Sequence, residues 1–143
     1  MKAAQDLIRQ SLRDDRVDKL GPSEAVSVPS TATVAEAIEI RRGGKTGCLL
    51  VAGADGRLIG TFTERDALCQ VAFAELDPAG ILVSEVMAPD PETIELNHLL
   101  AHVIHLMVVN DLSYLPLVDE KGHPAGMVDS RDLVDYIASL VMK

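Results

Sequence analysis

The sequence contains no tryptophan, and its aromatic residues make up only 3% of 143 residues. Hydrophobic residues nevertheless make up 48%, so the core must be built from aliphatic side chains. No window approaches the ~18 apolar residues that a membrane span needs, and the N-terminus has no apolar stretch typical of a signal peptide. We therefore expect a cytoplasmic protein that does not insert into a membrane.

Positive charge is also scarce: 13 Lys and Arg oppose 22 Asp and Glu, giving a formal net charge of −9. A nucleic-acid partner, which needs a basic surface, is not expected. The two cysteines, Cys48 and Cys69, lack metal-ligand spacing and are expected to be reduced thiols. No P-loop, no GxGxxG and no nucleophile–base pair is present, so no enzyme activity is expected.

The chain repeats itself at an offset of 66 residues. Without a gap, residues 60–66 fall on residues 126–132, and Leu49 falls on Leu115. Few identities survive, but the apolar pattern does, and two halves that share this pattern can adopt one fold.

Each half is predicted to form a β-α-β-β-α motif. A sheet this small cannot bury both faces alone, so the fold class is α/β (α+β), with two motifs packed as a pseudo-twofold pair. The predicted divisions are an N-terminal helix (1–20), motif 1 (21–74), a linker (75–82) and motif 2 (83–143).

The helix boundaries rest on short local signals. Thr31 or Thr33 is expected to cap the first motif helix, and Asn97 its counterpart in the second half. The Gly-Gly pair at 43–44 and the Asn-Asp pair at 110–111 should end these helices, since both tolerate left-handed backbone.

Four segments carry a resemblance to a known family: the Gly-to-Asp segments at 60–66 and 126–132, Val-Met-Ala-Pro at 86–89, and Ser-x-x-Pro-x-Val at 113–118. Over residues 20–141 the chain resembles a tandem CBS (cystathionine-β-synthase-type) domain pair, or Bateman module. The resemblance implies a regulatory module that binds AMP, ADP, ATP, NAD or S-adenosylmethionine in clefts between the motifs. It also implies a homodimer, a regulated partner protein in trans, and no required cofactor.

The resemblance assigns the ligand's ribose to Asp66 and its sugar-phosphate region to Thr63. A carboxylate can accept two hydrogen bonds from a vicinal diol, and a helix N-terminus attracts phosphate. The same Thr-x-x-Asp pattern is also a capping box, which needs no ligand.

In the second copy, Asp129 stands where the family has Thr or Ser. An added carboxylate repels an anion, so this site is expected either to be empty or to take a ligand without phosphate there. Arg65 and Arg131 could reach a phosphate from the rim, or could simply be solvated. Tyr114 could stack on a base or pack in its strand. The implied ligand set comprises Val28, Thr46, Gly47, Cys48, Thr63, Arg65, Asp66, Thr93, Ser113, Tyr114, Pro116, Arg131 and Asp132.

His98, His102 and His105 follow i, i+4, i+7 spacing, which would align them on one helical stripe. Such a stripe could ligate zinc, although the equivalent face of the first half is polar, which favours a solvent or dimer contact. Two alternatives to the nucleotide sensor therefore stay open: a ligand-free interaction or dimerisation scaffold, and a zinc-binding protein.

Overall fold

A computed structural model describes residues 2–44 and 46–142. The helices are α1 (Lys2–Asp14), α2 (Val34–Gly43), α3 (Glu64–Asp66), α4 (Val83–Val86), α5 (Leu100–Val109) and α6 (Ser130–Val141), with a 3-10 turn at Val17–Leu20 and a π-helical stretch at Ala67–Ala72. The strands are β1 (Ser27–Pro29), β2 (Cys48–Ala52), β3 (Leu58–Thr63), β4 (Ala88–Pro89), β5 (Tyr114–Val118) and β6 (Pro124–Asp129). Within these ranges, no helix has the length and apolar character needed to cross a bilayer.

The two halves have the predicted β-α-β-β-α order. Adding 66 to the bounds of α2, β2 and β3 gives the bounds of α5, β5 and β6. The first strand of the second half shrinks to one parallel bridge, Ile94 with Leu117, which repeats the pairing of Val28 with Val51. The predicted mixed fold is confirmed.

The repeat also extends upstream of the first strand of each half, into segments that were not part of the predicted 66-residue repeat. Val17 begins the 3-10 turn and Val83 begins α4, and both are fully buried. Residues 16 and 23 form bridges to residues 99 and 127 of the second motif, whereas residue 82 bridges to residue 33 and residue 89 pairs with residue 60 of the first. The segment before each motif therefore pairs with the other motif.

The chain divides into two compact units, and because of this pairing each unit contains the segment that precedes the other motif. One contains residues 25–91 and 118–125, and the other contains residues 1–24, 92–117 and 126–143. The first unit holds the four-stranded sheet, with β1 parallel and β3 antiparallel to β2. The second holds β5 and β6 together with α1, α5 and α6. Each has an aliphatic core, as the shortage of aromatic residues requires.

Strand β4 was not predicted, because residues 88–89 lie in a Pro-containing segment without a strand pattern. It pairs antiparallel with β3, Gly60 opposite Pro89. A proline is tolerated there because β4 is an edge strand with no ladder bond to donate outward. Glycine is needed at position 60, since a Cβ on Gly60 would lie 2.9 Å from the carbonyl oxygen of Ala88.

Helix α2 begins after one of the two capping residues that the sequence predicts. Thr33 is the N-cap, and its side chain accepts a hydrogen bond from the Glu36 amide at 3.1 Å. The cap predicted for α5 is wrong: Leu99, at the position equivalent to Thr33, occupies the N-cap. The carbonyl oxygen of Asn97 instead accepts a hydrogen bond from the Arg16 side chain. The residues before and at the start of α5 are therefore bonded to residues 15–16, since the Leu100 amide also donates to the Asp15 carbonyl at 3.0 Å.

Both helix ends agree with the sequence in position, but only the end of α5 also has the expected left-handed residue. α2 ends at Gly43, but Gly44 has a φ of −109°, so the expected left-handed termination is wrong there. After α5 the left-handed residue is Asp111, with a φ of 52°. The two hairpin turns do use left-handed glycines, Gly56 and Gly122, with φ values of 85° and 81°.

Helix α1 packs on α5 and α6 within its unit. Its end is anchored by the Tyr136 hydroxyl, which donates a hydrogen bond to the Asp15 carboxylate. Burial, followed by this bond to Asp15, raises the pKa of Tyr136 above its ordinary value. The hydroxyl therefore stays protonated and able to donate at neutral pH.

Candidate functional site

The β2–β3 pairing brings five of the predicted ligand residues of the first motif to one sheet edge. Cys48, the first residue of β2, is paired with Thr63, the last residue of β3. Residues 46–47 precede Cys48, and Asp66 completes the turn that follows Thr63. We call Thr46, Gly47, Cys48, Thr63 and Asp66 the first edge.

Thr63 and Asp66 form the capping box that the sequence allowed. The Thr63 amide donates to Asp66 Oδ2 at 2.9 Å, the Thr63 hydroxyl lies 3.1 Å from the same oxygen, and the Asp66 amide donates to Thr63 Oγ1 at 3.3 Å. In the described part of the chain, every hydrogen bond of this carboxylate uses Oδ2. The cap therefore positions Asp66 and leaves Oδ1 available to a ligand hydroxyl.

The thiol of Cys48 lies beside this carboxylate. Burial, followed by the negative charge of Asp66, raises the pKa of Cys48 to about 12. Thr46 Oγ1 accepts a hydrogen bond from the Cys48 amide at 3.2 Å and donates to the Cys48 carbonyl at 2.8 Å. Cys48 is therefore a neutral structural thiol near neutral pH, since only the thiolate is a strong nucleophile.

We expect Cys48 to resist iodoacetamide in the native protein at pH 8, whereas Cys69, which is exposed, should be alkylated. Mass spectrometry of the native protein should show one adduct, and unfolding in urea should add a second. A Cys69→Ser variant should show none until it is unfolded. Rapid native labelling of that variant would contradict the burial of Cys48.

The second motif forms a related edge. The Ser130 amide donates to the Ser113 carbonyl at 2.9 Å, which brings the start of α6 beside the start of β5. The Asp129 amide donates to Asp132 Oδ2 at 2.9 Å. The hydrogen bond to Asp129 is the main cause that raises the pKa of Arg131. Tyr114 follows Ser113 as the first residue of β5. We call Ser113, Tyr114, Asp129, Arg131 and Asp132 the second edge.

Three predicted ligand residues lie away from these edges. Val28 is 1% exposed and pairs with Val51, three residues further along β2 than Cys48. Pro116 is buried, and its carbonyl accepts a hydrogen bond from the Ile94 amide at 3.0 Å. Thr93 precedes Ile94 and is half-buried. The Val28 and Pro116 side chains are buried within the protein. Contacts of these three residues with a ligand stay predictions.

A cavity of about 340 Å³ opens beside Thr63, between α2 and the helix that follows the first edge. Sequence reasoning missed it, because no motif marks it. Arg41 at its wall forms an ion pair with Glu64, and the Nε of Arg41 is buried without a hydrogen-bond partner among the described residues. Arg65 is exposed. The cavity is lined by Ile38, Arg41, Phe62, Thr63, Glu64, Ala67 and Leu68.

The three histidines do not form the helical stripe that their spacing predicts. His98 precedes α5, and its Nδ1 accepts a hydrogen bond from the Glu95 amide at 3.1 Å. The rings of His98 and His102 meet edge to face with centroids 5.1 Å apart. Across residues 2–44 and 46–142, no group of three His, Cys, Asp or Glu side chains is arranged to hold a metal ion.

Comparison with known proteins identifies the family. The CBS domain matches residues 17–72 and residues 83–139, which together cover most of the sequence. The chain therefore belongs to the CBS domain family and contains two copies of the domain, as the resemblance indicated. The first match begins at residue 17 and the second at residue 83, again 66 residues apart.

One curated relative is the CBS domain-containing protein CBSCBSPB1 of Arabidopsis thaliana, 30% identical over 125 residues. The match covers 87% of this chain but only 23% of that protein. The chain thus spans less than a quarter of the length of this relative.

Two solved structures share the fold over nearly their whole length. A CBS domain protein from Pyrobaculum aerophilum complexed with AMP is 21% identical, with a TM-score of 0.76 over 87% of this chain and 98% of that one. The CBS domain pair of protein MJ0100, in complex with 5′-methylthioadenosine and S-adenosyl-L-methionine, is 23% identical, with a TM-score of 0.74 over 85% and 98%. At these identities the likeness establishes the fold. CBS domains are generally regulatory modules rather than catalytic ones.

Proposed function

We propose that this protein is a non-catalytic sensor that binds an adenosine-containing ligand and modulates a partner protein. AMP, ADP, ATP, NAD and S-adenosylmethionine are the ligands to consider. The observation that carries the proposal is the first edge, where a capping box fixes the Asp66 carboxylate and leaves one of its oxygens for a ribose hydroxyl. The adenosine ligands of two proteins with the same fold support it.

The chemistry of the first edge suits a nucleoside. The ribose diol can donate to Asp66 Oδ1, and a charged acceptor strengthens such hydrogen bonds. The backbone at residues 46–47 lies outside β2 and offers polar groups to a base edge. The exposed guanidinium of Arg65 is available to a phosphate at the rim.

Binding would regulate a partner by favouring one conformation of the module. A ligand shifts such an equilibrium only as far as its affinities for the two states differ. We place the partner in a separate chain or in a second copy of this one. Exposed apolar side chains, including Phe73 at 88% and Leu68 at 65% exposure, offer a contact surface for either.

The proposal is tested by thermal unfolding and calorimetry of the full chain with each of the five ligands and with adenosine. A ligand at 100 times its Kd should raise the unfolding free energy by about 2.7 kcal/mol. We expect at least one adenosine compound to do so, while guanosine and cytidine monophosphates do not. Silence with every adenosine compound would reject the sensor.

The alternative is a ligand-free dimerisation scaffold, which the same exposed apolar surface favours. Sedimentation of the protein, stripped of small molecules by unfolding and refolding, separates the two. A stable dimer that is unaffected by any adenosine compound is the result that the scaffold requires.

A further inference from the structure

The two edges differ in charge at one equivalent position. Thr63 begins the helix at the first edge, and Asp129, 66 residues later, begins α6 at the second. Both residues act as N-caps, so the local fold is the same. Each helix start carries two carboxylates within one turn, but Glu64 of the first motif forms an ion pair with Arg41. Only in the second motif is the N-cap itself a carboxylate, Asp129.

The Asp129 carboxylate also accepts hydrogen bonds from donor groups of the second edge. Its Oδ1 accepts the Arg131 amide at 2.8 Å, and its Oδ2 accepts Arg131 Nε at 3.3 Å and Nη2 at 3.1 Å. The Ser130 amide is bonded to Ser113. Two backbone amides, together with Nε and Nη2 of the Arg131 guanidinium, are therefore engaged within the protein.

The first edge differs both in the charge of its N-cap and in the hydrogen bonding of the equivalent arginine. Thr63 is uncharged, and its hydroxyl is bonded to Asp66. Among the described residues, no ion pair or side-chain hydrogen bond engages Arg65, which stands where Arg131 stands in the second motif. The Asp129 side chain is only 18% exposed, so its charge is less screened by water than a fully exposed carboxylate would be.

We infer that Asp129 is a specificity-determining residue: the second edge accepts the uncharged nucleoside part of a ligand and rejects a phosphate. This inference rests on the proposed function, because it concerns which adenosine compounds the second edge can take. Asp132 keeps its Oδ1 for a ribose, just as Asp66 does. An incoming phosphate would meet the Asp129 carboxylate, to which the amide, Nε and Nη2 of Arg131 are already bonded.

The test compares adenosine with AMP by calorimetry in the Asp66→Ala background, which removes the ribose acceptor of the first edge. We expect adenosine to bind more tightly than AMP there. Asp129→Asn, which keeps the cap but removes the charge, should raise AMP affinity about tenfold or more relative to adenosine. Asp129→Thr, which copies the first edge and releases Arg131, should do at least as much.

The reciprocal change is the matched control. In the Asp132→Ala background, Thr63→Asp should lower AMP affinity about tenfold while adenosine affinity changes little. An unchanged AMP-to-adenosine ratio in Asp129→Asn would overturn the inference, and so would the absence of adenosine binding in Asp66→Ala when the wild-type protein binds. If neither compound binds the wild-type protein, and no other adenosine ligand does, the proposed function itself fails.

Discussion

Replacing Asp66 with alanine should weaken binding of the adenosine ligand by roughly 1.5–3 kcal/mol, which is the usual value of charge-assisted hydrogen bonds. This corresponds to about a tenfold to hundredfold rise in Kd. The loss follows from the geometry of the first edge, where Asp66 uses Oδ2 for its cap and has Oδ1 left for a ligand. Calorimetry with the tightest ligand from the panel measures it directly.

The same substitution also removes half of a capping box, which should cost about 1 kcal/mol of stability. Binding must therefore be measured where circular dichroism shows the variant to be folded. Asp55→Ala is the matched control, because the Asp55 carboxylate also accepts a local amide, that of Arg57 at 3.0 Å, but lies at the hairpin turn, the other end of β3. Equal affinities of wild type, Asp66→Ala and Asp55→Ala would remove Asp66 from the site.

Much of the fold follows from the sequence because it depends on repeated apolar periodicity. The hairpin glycines and the strand patterns recur at a constant offset, so each half predicts the other. The capping box at Thr63 and Asp66 was also predictable, because Thr-x-x-Asp is a local signal within four residues. The structure shows that the cap uses Oδ2 of Asp66, which leaves Oδ1 for the proposed ligand contact.

The features that the sequence did not predict depend on long-range pairing. Asn97 is a strong capping residue by type, yet it lies two residues before the helix N-cap, and its carbonyl bonds to Arg16, 81 positions away. Likewise β4 exists only because Gly60 admits a neighbouring backbone. Local propensity contains no information about such partners.

The last helix of the first motif is a further case. After Asp66 the chain continues as a π-helical stretch, with the Phe73 amide bonded to the Leu68 carbonyl at 2.8 Å, whereas α6 of the second motif is α-helical throughout its 12 residues. The sequence does not predict this change, because π-helical turns are rare and no local residue pattern marks one here. The exposure of Phe73 on this stretch is consequently visible only in the structure.

Leu49→Ala and Leu115→Ala should each lower the free energy of unfolding by about 2–5 kcal/mol, as a cavity left by a fully buried leucine does. The two leucines are repeat equivalents, both 0% exposed, one in the core of each compact unit. Urea denaturation followed by circular dichroism measures both losses. Since whole domains are stable by only about 5–15 kcal/mol, either variant should show a large fall in its transition midpoint.

The repeat supplies matched controls for this pair. Leu68 and Val134 are also 66 residues apart, and they are 65% and 64% exposed. Their alanine variants should change stability by no more than about 0.5 kcal/mol, because surface substitutions leave no cavity. Losses for Leu49→Ala and Leu115→Ala no larger than these would mean that the two aliphatic clusters do not hold the motifs together. A large loss for Leu49→Ala alone would assign the stability to the first motif and contradict equivalent cores in the two halves.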